Sequence, residues 1–282
     1  MRKLTPLLVL LVLLLAIILG VGALLSRWGG APRVVPSAEQ CVVRVGEVSD
    51  SLGLEESQNA AIIVAEAQRR GLPARASSIA LATAMQESKL RNIDHGDRDS
   101  VGLFQQRPSQ GWGTVEQIMD PWYSAGKFYD HLVKVDGWES GDINDVAQQV
   151  QRSGVPEGYR KHVEKAKAWG SALTGHSPAA ISCVDRGEAT PNTALARTIV
   201  ERGFGDAVAL EQGQARLTLT GGNQTQLWSA THLVLMTTGS TGVTGVSLDG
   251  RELQVSGNRV ASWQEASQAP AGATEAVLTL RA

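Results

Sequence analysis

The stretch Ala80-Leu-Ala-Thr-Ala-Met-Gln-Glu-Ser-Lys-Leu-Arg-Asn-Ile-Asp-His-Gly-Asp-Arg-Asp-Ser-Val-Gly-Leu-Phe-Gln-Gln-Arg-Pro-Ser-Gln-Gly-Trp112 governs the reading of this chain. Its first part continues a helical pattern from about Ala76 to Ser88, with Ser77 or Ser78 as the cap and Ile79, Leu81, Ala82 and Met85 on an apolar face. Ala80, Ala82 and Ala84 are small enough to let neighbours approach from every side, so Glu87 is expected at the end of a buried helix. Arg91 to Ser100 carries Asn92, Asp94, Gly96, Asp97, Asp99 and Ser100, the residue types of turns. Gly102 to Gln106 then returns to the core. A carboxyl held among Leu81, Met85, Leu90 and Phe104 resists ionisation and keeps a proton to donate. The plainer alternative is an exposed helix-end Glu87 paired with Lys89 or Arg91.

Outward from this stretch, helices are expected at Ser57 to Gly71, Thr114 to Met119, Pro121 to Val135, Ile143 to Gln151 and Tyr159 to Leu173. The region between the two cysteines therefore reads as mainly α. Thr174 to Thr193, with Gly175, Pro178, Gly187 and Pro191, reads as a linker. Beyond it, helices at Leu195 to Arg202 and Leu227 to Met236 each precede a pair of short strands. The second pair turns at Asp249-Gly250, a hairpin dipeptide. The two helix-hairpin units form a weak repeat, spaced by about 38 residues.

The chain has 282 residues, a length that suits about two domains. A formal charge of -2 leaves no basic surplus to hold phosphates, so no nucleic-acid partner is expected. Leu4 to Leu25 is uncharged for about 22 residues, enough to cross a bilayer of ~30 Å. Arg2 and Lys3 precede it, which keeps the N-terminus inside and sends the rest out. Cleavage near Val21-Gly22-Ala23 is the competing reading and exports the same residues. Cys41 and Cys183 are the only two cysteines, and outside the membrane they are expected to form a disulfide. The five histidines are scattered, so neither a metal nor a cofactor is expected. Of the seven Trp, Trp112, Trp122, Trp138 and Trp169 lie in the central region, where they serve the core or stack on sugar rings.

The order Glu87-Ser88, a turn-rich spacer, then Gly102-Leu103-Phe104-Gln105 resembles the active-site region of lytic transglycosylases and goose-type lysozymes. The block through Gln110-Gly111-Trp112-Gly113 is similar to exported actinobacterial proteins of this kind, and the resemblance covers roughly residues 55 to 170. It implies a lysozyme-like fold and cleavage of the MurNAc-GlcNAc β-1,4 bond of peptidoglycan glycan strands. Glu87 would be the single general acid/base, with Ser88, Gly102, Phe104, Gln105 and Tyr159 around the substrate. Phe104 stands where the family has Met, and Asp120-Pro121 is not followed by the family's Asn-Ile. Asp97 and Asp99 are the candidates for a second carboxylate, which a hydrolase would need and a transglycosylase would not.

The expected fold class is multidomain: an N-terminal transmembrane helix, a mainly-α lysozyme-like domain and a small C-terminal α+β domain. The expected divisions are 1–28 for the anchor, 29–40 for a linker, 41–183 for the lysozyme-like domain, 184–192 for a second linker and 193–282 for the α+β domain. The expected location is the cell membrane, single-pass, with domains facing the wall, or secretion after cleavage. The C-terminal domain would bind a protein partner or wall polymer. A second reading, from a different class, is a non-catalytic wall-binding or assembly scaffold, placed in a secretion or conjugation machine. An exposed or charge-paired Glu87 would favour it.

Overall fold

The structure is a computed structural model that describes residues 38–187, 190–266 and 272–282. The expected membrane span at Leu4–Leu25 lies outside the described residues. Among the described residues no helix is long and apolar enough to cross a membrane.

Two strands come first, β1 (Gln40–Val45) and β2 (Val48–Gly53). They pair antiparallel with Val45 opposite Val48, leaving Gly46-Glu47 as a two-residue turn in which Gly46 takes a φ of 56°. A third strand, β3 (Ile181–Val184), returns to the far edge of β1 and completes a sheet of order β2-β1-β3. Cys41 and Cys183 are directly opposed across β1 and β3 and form a disulfide.

Between β2 and β3 lie six helices: α1 (Leu54–Arg69), α2 (Ala74–Glu87), α3 (Val115–Ile118), α4 (Pro121–Leu132), α5 (Ile143–Gln151) and α6 (Val163–Leu173). Glu55 and Glu56 open α1 and Arg69 closes it, the charge order that the helix dipole favours. Asp120 and Asp142 cap α4 and α5 by accepting from backbone N–H groups. α2 is buried along almost its whole length, as its run of small residues predicts. A Cβ on Gly170 of α6 would lie 3.2 Å from the Ser78 backbone nitrogen, so glycine is what permits this close crossing of α2 and α6.

The remaining chain forms α7 (Ala194–Phe204), β4 (Val208–Gln212), β5 (Arg216–Gly221), α8 (Gln224–Leu235), α9 (Thr238–Thr241), β6 (Val243–Leu248), β7 (Arg251–Gln254), β8 (Gln264–Glu265) and β9 (Glu275–Leu280). The expected hairpins are β4-β5 and β6-β7. A further strand, β9, pairs with both β5 and β6, which joins the two hairpins into a sheet of order β4-β5-β9-β6-β7-β8.

The expected fold class is corrected by this arrangement. The described residues form one compact α+β unit with two sheets, rather than a mainly-α domain beside a separate small α+β domain. The physical reason is packing. α7 and α8 both lie on α1, and α8 also lies on α6, so the apolar residues of both regions form one continuous core. Polar ties accompany them. Gln68 donates to the Ser229 hydroxyl, Ser229 donates to the Leu173 carbonyl, and the Trp263 indole donates to the Ile181 carbonyl.

Candidate active site

Glu87 is the last residue of α2 and is half-buried. The chain leaves the helix through two consecutive left-handed residues, Lys89 (φ 57°) and Leu90 (φ 62°). Such positions cost about 1 kcal/mol or more each for non-glycine residues, so the surroundings must hold them. They do. The Leu90 N–H donates back to Ala84, its carbonyl accepts from the buried Asn59 amide at 2.8 Å, and its side chain is fully enclosed. The turn therefore fixes where the helix ends and where Glu87 points.

A narrow hairpin faces this turn. Val101 and Gln106 exchange backbone hydrogen bonds of 3.0 Å, enclosing Gly102-Leu103-Phe104-Gln105 as the loop. Gly102 has a φ of 80°, and a Cβ there would approach the Ile118 carbonyl to 2.9 Å, so both conformation and space require glycine. The Ser88 hydroxyl donates to the Leu103 carbonyl at 2.8 Å, and the Gln151 amide donates to the Phe104 carbonyl at 2.8 Å. Phe104 is fully buried and stacks on Phe128 at 4.7 Å.

From the other side comes Tyr159, next to the short 3-10 turn Arg160–His162. It is fully buried, and its hydroxyl donates to Glu87 Oε1 at 2.5 Å. Burial raises the Glu87 pKa above the ordinary carboxyl value, and hydrogen bonding by Tyr159 and Gln151 opposes that rise. Burial and the adjacent carboxylate together push the Tyr159 phenol well above its usual range, so it stays a donor.

The residues singled out in the sequence thus take several positions. Glu87, Ser88, Gly102 and Tyr159 converge at the end of α2. Ser88 and Phe104 point inward, Ser88 being only 7% exposed. Gln105, in a left-handed conformation, turns its amide onto the His95 and Gly102 carbonyls. The Asp97 side chain is 93% exposed. Asp99 is bound by Arg107 at 2.7 Å and by the Ser109 N–H at 2.8 Å, contacts that hold its carboxyl far below the usual range. Neither aspartate contacts Glu87 among the described residues. Trp138 and Trp169 are core residues, whereas Trp112 and Trp122 are half-buried at the rims of surface cavities.

Two members of the site escaped sequence reasoning, Gln151 and Asn59. Gln151 stands beside Gln148 and Gln149, and only the ending of α5 at Arg152 (φ 52°) decides which amide faces the carboxyl. Asn59 follows Glu55-Glu56-Ser57-Gln58 in the same helix, so nothing in the sequence distinguishes it from its polar neighbours.

A cavity of about 560 Å³ opens next to the site and shares Gln151 with it. Among the described residues no group of three or more His, Cys, Asp or Glu side chains is placed to hold a metal. A scan against protein-family models and a search of the curated proteins each return no match.

Proposed function

We propose that this chain cleaves peptidoglycan glycan strands as a lytic transglycosylase or muramidase, with Glu87 as the acid that protonates the glycosidic oxygen. The observation that carries the reading is the setting of Glu87. It is half-buried, has a raised pKa, takes a hydrogen bond from a buried phenol, and has no cationic partner among the described residues. An acid of that kind keeps its proton to higher pH than an ordinary glutamate and can deliver it as the bond to the leaving sugar breaks.

The carboxylate left behind then takes a proton from the attacking hydroxyl. With Asp97 solvated and Asp99 engaged by Arg107, neither candidate for a second carboxylate stands ready to hold a water or form a covalent intermediate. That favours attack by the 6-hydroxyl of the muramic acid itself, which closes an anhydro ring on the product. The scaffold alternative called for a Glu87 that is exposed or ion-paired, and the geometry offers neither. The Cys41–Cys183 disulfide supports action in an oxidising compartment, outside the cytoplasm.

The test is mass spectrometry of soluble products from purified peptidoglycan. Anhydro-muropeptides released by the wild-type chain, and lost in Glu87→Gln, are the expected outcome. Products with free reducing ends would move the reading to a hydrolase. Undiminished release by Glu87→Gln would refute Glu87 as the acid.

A further inference from the structure

The cavity beside Glu87 has a one-sided charge. Its lining includes Lys134, Arg152 and His131 but no aspartate or glutamate. Neither Lys134 nor Arg152 forms an ion pair among the described residues, although Arg69, Arg70, Arg91, Arg107 and Arg160 all do. The same wall holds an aromatic pair, the Trp112 indole tilted by 31° over the His131 ring, with centroids 4.2 Å apart. Burial and the nearby cations lower the His131 pKa, so the ring is neutral and stacks without adding charge. Gln151 spans the two spaces, lining the cavity while its amide faces Glu87 and holds the Phe104 carbonyl.

A bare glycan strand of alternating amino sugars carries its only carboxylate on the lactyl group of each muramic acid, close to the sugar ring. In intact peptidoglycan each lactyl carboxyl bears a short peptide, and that peptide carries free carboxylates. Two unpaired cations in the cavity that shares Gln151 with the acid suit those carboxylates, and the Trp112 face suits the stem's aliphatic side chains or a sugar face. Resting on the peptidoglycan-cleaving reading above, the geometry points to this cavity as a subsite for the acidic stem peptide of the strand being cut, with Lys134 and Arg152 as its carboxylate contacts. The enzyme then selects peptide-bearing glycan over denuded glycan.

Binding tests this separately from catalysis. The full chain carrying Glu87→Gln is titrated with GlcNAc-MurNAc-tetrapeptide and with GlcNAc-MurNAc by calorimetry. The expected result is a dissociation constant at least about tenfold lower for the peptide-bearing ligand. Adding Lys134→Glu or Arg152→Glu should erase that preference, and Arg152→Lys should retain part of it. Equal affinities in the parent, absence of binding by either ligand, or a preference that survives both charge reversals would overturn the assignment. So would glycerol phosphate binding as tightly as the peptide ligand, which would make the cavity a general anion site. Equal affinities or a surviving preference leave the cleavage reading intact, because that reading is tested separately by the products released by the wild-type chain.

Discussion

The hydroxyl of Tyr159 donates to the carboxylate of Glu87 at 2.5 Å across 72 residues of sequence, and the bond is made by a fully buried phenol. Two opposed effects meet at this contact. Burial favours the protonated carboxyl, and the hydrogen bond favours the ionised one. The proton affinity of Glu87 is set by their difference.

Removing the bond should therefore move that affinity in a known direction. In Tyr159→Phe the opposing effect is lost, so the Glu87 pKa rises further. Activity that needs the protonated acid falls as pH rises through that pKa, so the alkaline limb of kcat/KM should shift to higher pH. Hydrogen bonds to charged groups contribute about 1.5–3 kcal/mol, so a displaced limb should be measurable. A limb that stays in place while the rate falls would mean that Tyr159 acts on the substrate and not on the acid.

Glu87→Gln should cost activity and gain stability. A raised carboxyl pKa means that the folded chain holds a proton that the unfolded chain has already released. Stability therefore falls as pH rises from the ordinary Glu value of 4.5 toward the higher folded value, and it stays lowered above that. The Gln variant carries no such penalty. It should melt at a higher temperature than wild type at pH 7, with the difference gone by about pH 4. Muropeptide release should drop about 100-fold or more. Equal melting temperatures at both pH values would show that Glu87 ionises in the native state as freely as in the unfolded one.

Much of this site was legible because its signals are local. A run of small residues ending in Glu-Ser shows as a buried helix with an acid at its tip, and Gly102 announces a backbone position that other residues cannot occupy. What stayed hidden depends on long-range pairing. β1 and β2 carry valines on both sides of Gly46-Glu47, yet a lone hairpin is marginal, and this one is held by β3 at its edge and by α1 and α6 packed on it. β9 is a short strand whose partners, β5 and β6, lie far back in the chain, and no local pattern says that it belongs between them. The boundary at Thr174–Thr193 looked like a linker by composition, but composition does not reveal that α7 and α8 pack against α1. Gln151 was invisible for a finer reason, since only two or three positions of helical register separate it from Gln149 and Gln148.

The disulfide should matter for stability and little for chemistry. Cys41 and Cys183 are separated by 142 residues, and closing so long a loop contributes up to about 5 kcal/mol in the chain-entropy picture. The paired substitution Cys41→Ser/Cys183→Ser should lower the urea midpoint, with a loss of about 2–5 kcal/mol, while leaving the pH dependence of kcat intact. Thiol titration of the denatured wild-type chain without reductant should find no free thiol. Two titratable thiols would refute the bridge.

The C-terminal residues meet α6 along a buried seam that contains a histidine. His232, on α8, is completely buried between Trp228 and Trp263, and its Nδ1 lies 2.7 Å from the Ala172 carbonyl. As the neutral tautomer it donates there, and Nε2 then has no partner. Protonation would add a second N–H with nothing to accept it, and burial holds the pKa down to about 4 against an ordinary value of 6.5. The sign follows from linkage. An unfolded chain takes up the proton near 6.5 while the folded chain refuses it, so stability is lost as pH falls from 6.5 toward 4. The loss between pH 7 and pH 5 should be about 2 kcal/mol. His232→Asn keeps an amide that can donate to Ala172 but cannot titrate. The variant should be weaker than wild type at pH 7, because it leaves space where the ring packed, yet lose much less on acidification. Urea midpoints at the two pH values decide it. Parallel losses in both proteins would place the acid sensitivity elsewhere and leave His232 as packing alone.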